Sequence, residues 1–187
     1  MSKIVEATKR LLERGDVEAV TTSSVAAEAE VPVSSVYRYF PNIYSIHRTI
    51  LEEFKAESDR VIEHMLSEAN EKDWRDSLSE MIIALRQLVA GNPSYGAVFR
   101  LTLTTHELRT VRETWNLRLA GVLADRWREG KDGFRGGSPD HVARMAVEIY
   151  CASEILIFEN RDRPDEAEAY FTEALMALQR YLEPYLD

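Results

Sequence analysis

Apolar side chains recur every three or four residues along most of the chain, and polar side chains occupy the positions between them. This spacing gives each segment one apolar stripe, which is typical of amphipathic helices packed around a core. Prolines and glycines separate the segments and indicate where helices end; Gly15, for example, is predicted to end the first one. No segment shows the alternation of a strand. The pattern predicts an all-α chain with helices over about 3–14, 22–29, 33–39, 43–69, 73–90, 95–103, 106–129, 139–160 and 164–182.

The segment from Thr21 to Tyr44 predicts two short helices joined by a tight turn. Hydroxyl side chains at its start can cap the free N–H groups of the first helix. Pro32 in the turn suits the beginning of the second helix, where a missing N–H costs nothing. Two helices at this spacing form a helix-turn-helix, whose second helix enters the major groove of double-stranded DNA.

The side chains of this second helix are suited to DNA contact. Ser35 and Arg38 lie three residues apart and share a face, and Arg38 can donate hydrogen bonds to guanine or to a phosphate. Hydroxyl groups of tyrosine and threonine can hold phosphates without reading sequence. The predicted DNA-binding residues are Thr22, Ser23, Val33, Ser34, Ser35, Tyr37, Arg38 and Tyr39. His47 and Arg48, at the start of the long fourth helix, are further candidates for the DNA backbone.

The order of these residues resembles the TetR family of bacterial transcriptional regulators. The resemblance is carried by Val31, by the run Ser35-Val36-Tyr37-Arg38-Tyr39-Phe40-Pro41, and upstream by Leu11-Leu12, Gly15 and Val20-Thr21-Thr22. It implies a three-helix DNA-binding domain over residues 1–44, joined by a long helix to an effector-binding and dimerisation domain over residues 45–187. Three positions depart from the family pattern: Glu30 replaces a glycine, Pro32 a serine, and Ile43 a lysine that contacts phosphate.

The charge distribution is compatible with DNA binding by the first segment only. The chain has 187 residues and a net charge of −9. Residues 1–50 carry six basic and six acidic side chains, so the whole excess of acid lies in residues 51–187. Acidic surfaces there repel DNA from the wrong face. A neutral DNA-binding segment is nevertheless weak by electrostatic criteria, which leaves open a helical small-molecule-binding protein whose DNA-binding head is weakened or lost.

The remaining helices offer material for a ligand pocket and for a dimer interface. Large apolar side chains from several helices either line a pocket or form plain core, and the resemblance favours the pocket. The predicted ligand-binding residues are Phe54, Met65, Met81, Leu85, Phe99, Leu103, Trp115, Asn116 and Tyr150, and Trp74 and Trp127 belong to the same set of large side chains. Small residues in the last two helices allow close contact, either within one chain or in a homodimer through residues 138–187. The glycine-rich segment 130–137 is predicted to be a flexible loop.

No pattern of catalytic or metal-binding residues occurs. The four histidines are scattered, and there is no nucleophile elbow or phosphate-binding loop. The lone Cys151 fits a reducing cytoplasm, and no segment has the length and apolarity of a membrane span. We therefore predict no enzyme, no cofactor and no metal. The predicted function is a cytoplasmic homodimeric repressor, released from a pseudo-palindromic operator by a small, largely apolar effector; an activator, or a regulator that responds to a protein partner, is the other possibility.

Overall fold

The chain folds as predicted, entirely from helices. The computed structural model describes residues 1–14, 17–69 and 72–187, so Gly15 lies outside the described residues. Within these ranges there is no strand, and the α-helices are α1 (Ser2–Arg14), α2 (Thr22–Glu28), α3 (Val33–Tyr39), α4 (Ile43–Glu68), α5 (Trp74–Ala90), α6 (Pro93–Thr104), α7 (His106–Arg128), α8 (Pro139–Glu159) and α9 (Pro164–Leu182). Short 3-10 turns occur at Val17–Ala19 and Lys131–Gly133.

Local capping explains why several helices begin where they do. Before α2, the Thr21 hydroxyl accepts from the backbone N–H of Ser24 at 3.1 Å, and the Ser24 hydroxyl accepts from the backbone N–H of Thr21 at 2.9 Å. This reciprocal pair is a capping box. Before α5, the Asp73 carboxylate accepts from the backbone N–H of Arg75 at 2.7 Å. Each cap satisfies N–H groups that a helix leaves without partners.

One compact unit contains the helix-turn-helix. It comprises Met1–Asp59 and Arg86–Arg112, and in it α1 packs on α2 and α6. Its core is apolar, with Ile4, Val25, Val36, Ile46 and Val98 almost completely buried. This burial holds the short helices α2 and α3 in place, since helices of seven residues are not stable alone.

The other compact unit comprises Arg60–Leu85 and Glu113–Asp187. The helices α8 and α9 pack closely along each other in it. Its core is formed by large aliphatic and aromatic side chains from the second half of α4 and from α5, α7, α8 and α9. The predicted functional division between residues 44 and 45 stays a prediction. No helix in the described ranges is long and apolar enough to cross a membrane.

Candidate functional site

The turn between α2 and α3 has a left-handed residue at its centre. Glu30 has φ of +53°. Its backbone N–H donates to the carbonyl of Ala27 at 3.1 Å, and the N–H of Val31 donates to the carbonyl of Ala26 at 3.0 Å. This is the hydrogen-bond pattern of a Schellman motif, whose left-handed position is usually glycine. Glu30 therefore holds a left-handed backbone although it is not a glycine.

The predicted DNA-binding side chains lie on the accessible part of the helix-turn-helix. Tyr37 is 54% exposed and Tyr39 52%. Ser23, Val33, Ser34 and Arg38 are also exposed, while Thr22 and Ser35 are half-buried. The hydroxyl groups of Thr22 and Tyr37 lie 3.1 Å apart, so they form one polar patch. The opposite side chain of α3, Val36, is fully buried, and this fixes which face of α3 is presented.

Five of the six basic side chains in residues 1–50 form ion pairs. Arg10 and Arg14 both pair with Glu28, at 2.8 and 3.1 Å, and Arg48 pairs with Glu52 at 2.7 Å. The hydrogen bond from Arg10, helped by the charge of Arg14, holds the pKa of Glu28 below its usual value. The other two of these basic side chains are Lys3, which pairs with Glu30, and Lys9, which pairs with Glu6 and Glu53.

Arg38 is the exception in this segment. It is exposed and makes no ion pair with any described residue. His47, a sequence candidate for the DNA backbone, is only 2% exposed and is therefore unable to reach DNA. Burial lowers the pKa of His47 to about 4, so its ring is neutral at physiological pH. The accessible positive charge of the recognition helix therefore comes from Arg38.

The second unit contains an apolar cavity of about 80 Å³. Helices α4, α5, α7, α8 and α9 and the C-terminal residues form its wall. The apolar lining residues are Ile62, Met65, Leu66, Ala69, Trp74, Leu78, Met81, Ile82, Leu85, Leu119, Leu123, Trp127, Ala146, Val147, Tyr150, Leu178, Leu182 and Leu186. Ser77, Arg126 and Asp132 are the polar members of the wall. A concave apolar site with few polar groups is typical of small-molecule binding.

A mostly buried ion pair forms one part of this wall. The Arg126 guanidinium donates two hydrogen bonds to the Asp132 carboxylate, each 2.7 Å long, and a third to the carbonyl of Leu66 at 2.9 Å. The indole N–H of Trp127 donates to the same carboxylate at 3.2 Å. Phe134 stacks on the Trp127 ring with centroids 5.3 Å apart. The segment 130–137 thus contains a 3-10 turn at Lys131–Gly133 and is anchored by the ion pair of Asp132 and by the stacking of Phe134; its predicted flexibility stays a prediction.

The structure brings together four of the nine predicted ligand-binding residues. Met65, Met81, Leu85 and Tyr150 line the cavity, as do Trp74 and Trp127. Sequence reasoning missed Ser77, Arg126 and Asp132. No residue pattern marks them, because Arg126 and Asp132 meet only through the turn that follows α7.

Five predicted ligand-binding residues do not line the cavity. Phe54 stacks on Tyr95 with ring centroids 3.5 Å apart in the first unit, where Phe99 is also buried. Leu103 is 37% exposed. Trp115 packs against the core of the second unit, and buried Asn116 accepts a hydrogen bond from the Cys151 thiol at 3.5 Å. Their roles as ligand contacts stay predictions without support from this cavity.

Helix α8 carries an exposed apolar stripe at helical spacing. Met145 is 51% exposed and Leu156 is 44% exposed, with Ile149 half-buried and Ala152 exposed between them. Other small residues predicted for a dimer interface, Ala146, Ala167 and Ala174, are instead buried within the chain. Most of these small residues therefore pack within the chain, and Ala152 belongs to an accessible face of α8.

Comparisons with known proteins agree with these observations. The family model for bacterial regulatory proteins of the tetR family matches residues 4–47. The model for the tetracyclin repressor-like C-terminal domain matches residues 73–182. A comparison with curated protein sequences gives no significant match.

Solved structures share the fold over almost the whole chain. A transcriptional regulator from Cytophaga hutchinsonii superposes with a TM-score of 0.74 at 14% identity, covering 98% of this chain and 97% of that one. SmeT, the repressor of the Stenotrophomonas maltophilia multidrug efflux pump SmeDEF, gives 0.73 at 16% identity, covering 100% and 90%. The multidrug binding protein EbrR, complexed with imidazole, gives 0.67 at 21% identity, covering 95% and 93%. The two family models together match most of the chain, over residues 4–47 and 73–182. The chain therefore belongs to the TetR family of bacterial transcriptional regulators, which are DNA-binding proteins and not enzymes.

Proposed function

We propose that this regulator is a repressor, released from its operator when a small, largely apolar effector enters the cavity of the second unit. The apolar cavity carries this proposal, because a wall with so few polar groups binds apolar compounds. Two relatives in fold support it by their descriptions, one a repressor of a multidrug efflux pump and one a multidrug binding protein. The proposed place of action is the cytoplasm, where the DNA is.

On DNA, Arg38 and Ser35 would read base edges, and Thr22, Tyr37 and Tyr39 would hold phosphates. The exposed Ser23, Val33 and Ser34 complete this face. We propose a homodimer through residues 138–187, for which the exposed stripe on α8 gives a surface. The two recognition helices would then enter successive major grooves, about 34–36 Å apart, on a pseudo-palindromic site.

Helix α4 provides the proposed connection between effector and DNA. It begins at Ile43, four residues after α3 ends, and its residues Ile62, Met65 and Leu66 line the cavity. Its 26 residues span about 39 Å at 1.5 Å per residue. A ligand that displaces the cavity end of α4 would tilt its other end and change the spacing of the recognition helices. To change operator occupancy from almost full to almost empty, the ligand must favour the released state by about 5.5 kcal/mol.

The test is binding of the purified protein to the DNA that flanks its own gene, with random DNA of equal length as the competitor. We expect site-selective binding, and a loss of about 1–3 kcal/mol per half-site in Arg38→Ala. Arg48→Ala is the comparison within the same segment: Arg48 is also a candidate for the DNA backbone, but it is paired with Glu52, so its replacement should cost less than that of Arg38. Binding no tighter than to random DNA, with or without candidate effectors, would favour a small-molecule-binding protein with a weakened head. Tighter operator binding in the presence of an effector would show a co-repressor or activator mechanism instead.

A further inference from the structure

Two polar atoms without partners belong to the wall of the cavity. The indole N–H of Trp74 and the hydroxyl of Ser77 are buried and have no hydrogen-bond partner among the described residues. Both residues line the cavity, and Trp74 is only 3% exposed. They lie three residues apart at the start of α5, so they face the same side of that helix.

The polar groups of Arg126, Asp132 and Trp127 in the wall are already paired with one another. The Arg126 guanidinium is paired with the Asp132 carboxylate, and the indole N–H of Trp127 donates to that carboxylate. The opposite charges of this pair offset each other inside the wall. A ligand therefore meets no uncompensated charge there, and burying a charged ligand group in such a site is costly.

Buried donors are almost always hydrogen-bonded in native proteins, and a donor left without an acceptor weakens whichever state contains it. A carbonyl oxygen has two lone pairs and no proton, so one such oxygen can accept from both an indole N–H and a hydroxyl. A purely hydrocarbon ligand would leave both atoms unpaired. The chemistry of the wall thus asks for one acceptor on an otherwise apolar molecule.

We propose that the effector is a small uncharged compound, apolar except for one carbonyl oxygen of the ketone or ester class, which accepts from Trp74 and Ser77. This inference rests on the proposed function, because it names the ligand class of the same cavity. Trp74 donates through Nε1–H, and Ser77 donates through its hydroxyl. The Arg126–Asp132 pair stays closed and takes no part in binding.

The test uses two probes of almost the same shape, cyclopentanone and methylenecyclopentane, which differ in whether the ring carries an oxygen or a methylene group. Binding to the full chain is followed by proton–nitrogen NMR, in which the three tryptophans give separate indole signals. Loss of one signal in Trp74→Phe assigns it. We expect cyclopentanone to bind at least about tenfold more tightly than methylenecyclopentane, since its oxygen accepts two hydrogen bonds that the methylene group cannot accept. Only the ketone should shift the Trp74 indole proton downfield, and the Trp127 signal, whose donor is already used, should not gain that shift.

Three variants separate the hydrogen bonds from packing. Trp74→Phe and Ser77→Ala should each reduce the preference for the ketone, while the affinity for the hydrocarbon changes little. Ser79→Ala is the matched control on the same helix. Its hydroxyl donates to the carbonyl of Arg75 at 2.7 Å, and it does not line the cavity. We expect the ketone preference to persist in that control.

Each outcome decides the inference, and a parallel measurement decides the proposed function. Equal affinity for the two probes, no binding of either, or tighter binding of cyclopentanecarboxylate than of cyclopentanone would overturn the inference about the ligand class. The operator complex is then titrated with the same probes. A ketone that fills the cavity and shifts the Trp74 signal, but leaves the operator complex intact, would count against the release mechanism while the ligand class stands. Release by both probes alike would support the mechanism and overturn the ligand class.

Discussion

Replacing Glu30 by glycine is expected to stabilise the helix-turn-helix, because Glu30 holds a left-handed backbone between α2 and α3. A side chain with a β-carbon costs about 1–2 kcal/mol in that region. Glycine removes this cost but gives the unfolded chain more freedom, which offsets about 0.4–1 kcal/mol. The ion pair of Glu30 with Lys3, 3.7 Å long with both side chains mostly exposed, contributes little. The net expectation is a gain of about 0.5–1 kcal/mol.

The gain is measured by hydrogen exchange of the backbone amides in α2 and α3, together with urea denaturation of the full chain. Exchange of the buried Val25 and Val36 amides should slow about two- to fivefold in Glu30→Gly if they exchange through opening of this motif. Glu30→Ala is the matched control, because it removes the charge and the contact with Lys3 but keeps a β-carbon. Glu30→Asn should fall between them, since asparagine tolerates this conformation better than most residues. A stabilisation in Glu30→Ala equal to that in Glu30→Gly would show that the charge of Glu30, and not its left-handed backbone, decides the effect.

Three further changes probe burial in other parts of the chain. The pKa of His47 is about 4 in the folded chain and about 6.5 in the unfolded chain, so between these values a proton binds to the unfolded state and not to the folded state. The free energy of unfolding should therefore drop by up to about 3 kcal/mol between pH 7 and pH 4, and His47→Phe should remove that part of the loss in urea titrations. Arg126→Met leaves the mostly buried Asp132 carboxylate with only the Trp127 indole N–H as a side-chain donor and should cost about 3 kcal/mol in the same assay, whereas a cost under about 1 kcal/mol would show that the turn relaxes and exposes the carboxylate. Met145→Glu places a charge in the exposed stripe of α8 and should shift a dimer to monomer in sedimentation experiments, while an unchanged mass would move the interface to another surface.

The sequence predicted the helices well because their ends are set by local chemistry. Pro32 and Phe40-Pro41 bracket α3, and the predicted and observed bounds of that helix agree. The capping box at Thr21 and Ser24 likewise depends only on neighbours in the chain. The family pattern has a glycine at the position of Glu30, which is consistent with the left-handed backbone found there, although a glutamate side chain disfavours it.

The residues that line the cavity were predicted only in part, because hydrophobic spacing shows which residues share a helix face but not which helix faces meet. Phe54 and Met65 lie on the same helix and are both large and apolar, yet one stacks on Tyr95 and the other lines the cavity. The polar residues of the cavity wall could not be predicted for a related reason. Arginine and aspartate usually lie on protein surfaces, so nothing in the sequence marks Arg126 and Asp132 as wall residues. The turn after α7 brings the two side chains together.

The ion pairs of the DNA-binding segment predict how operator affinity depends on salt. Each phosphate neutralised by a protein cation contributes about −0.9 to the slope of log affinity against log salt concentration on duplex DNA. Among the basic side chains of residues 1–50, only Arg38 is without a carboxylate partner in the described structure, so a dimer brings two such cations. The slope should be no steeper than about −2, the value expected if each Arg38 contacts a phosphate as well as a base edge. Arg38→Ala should then bring the slope close to zero, and Arg48→Ala should change it little, because Arg48 is paired with Glu52. A slope steeper than about −6 would mean that Lys9, Arg10 and Arg14 leave their carboxylate partners and bind phosphates instead. The ion pairs would then not limit the affinity for DNA.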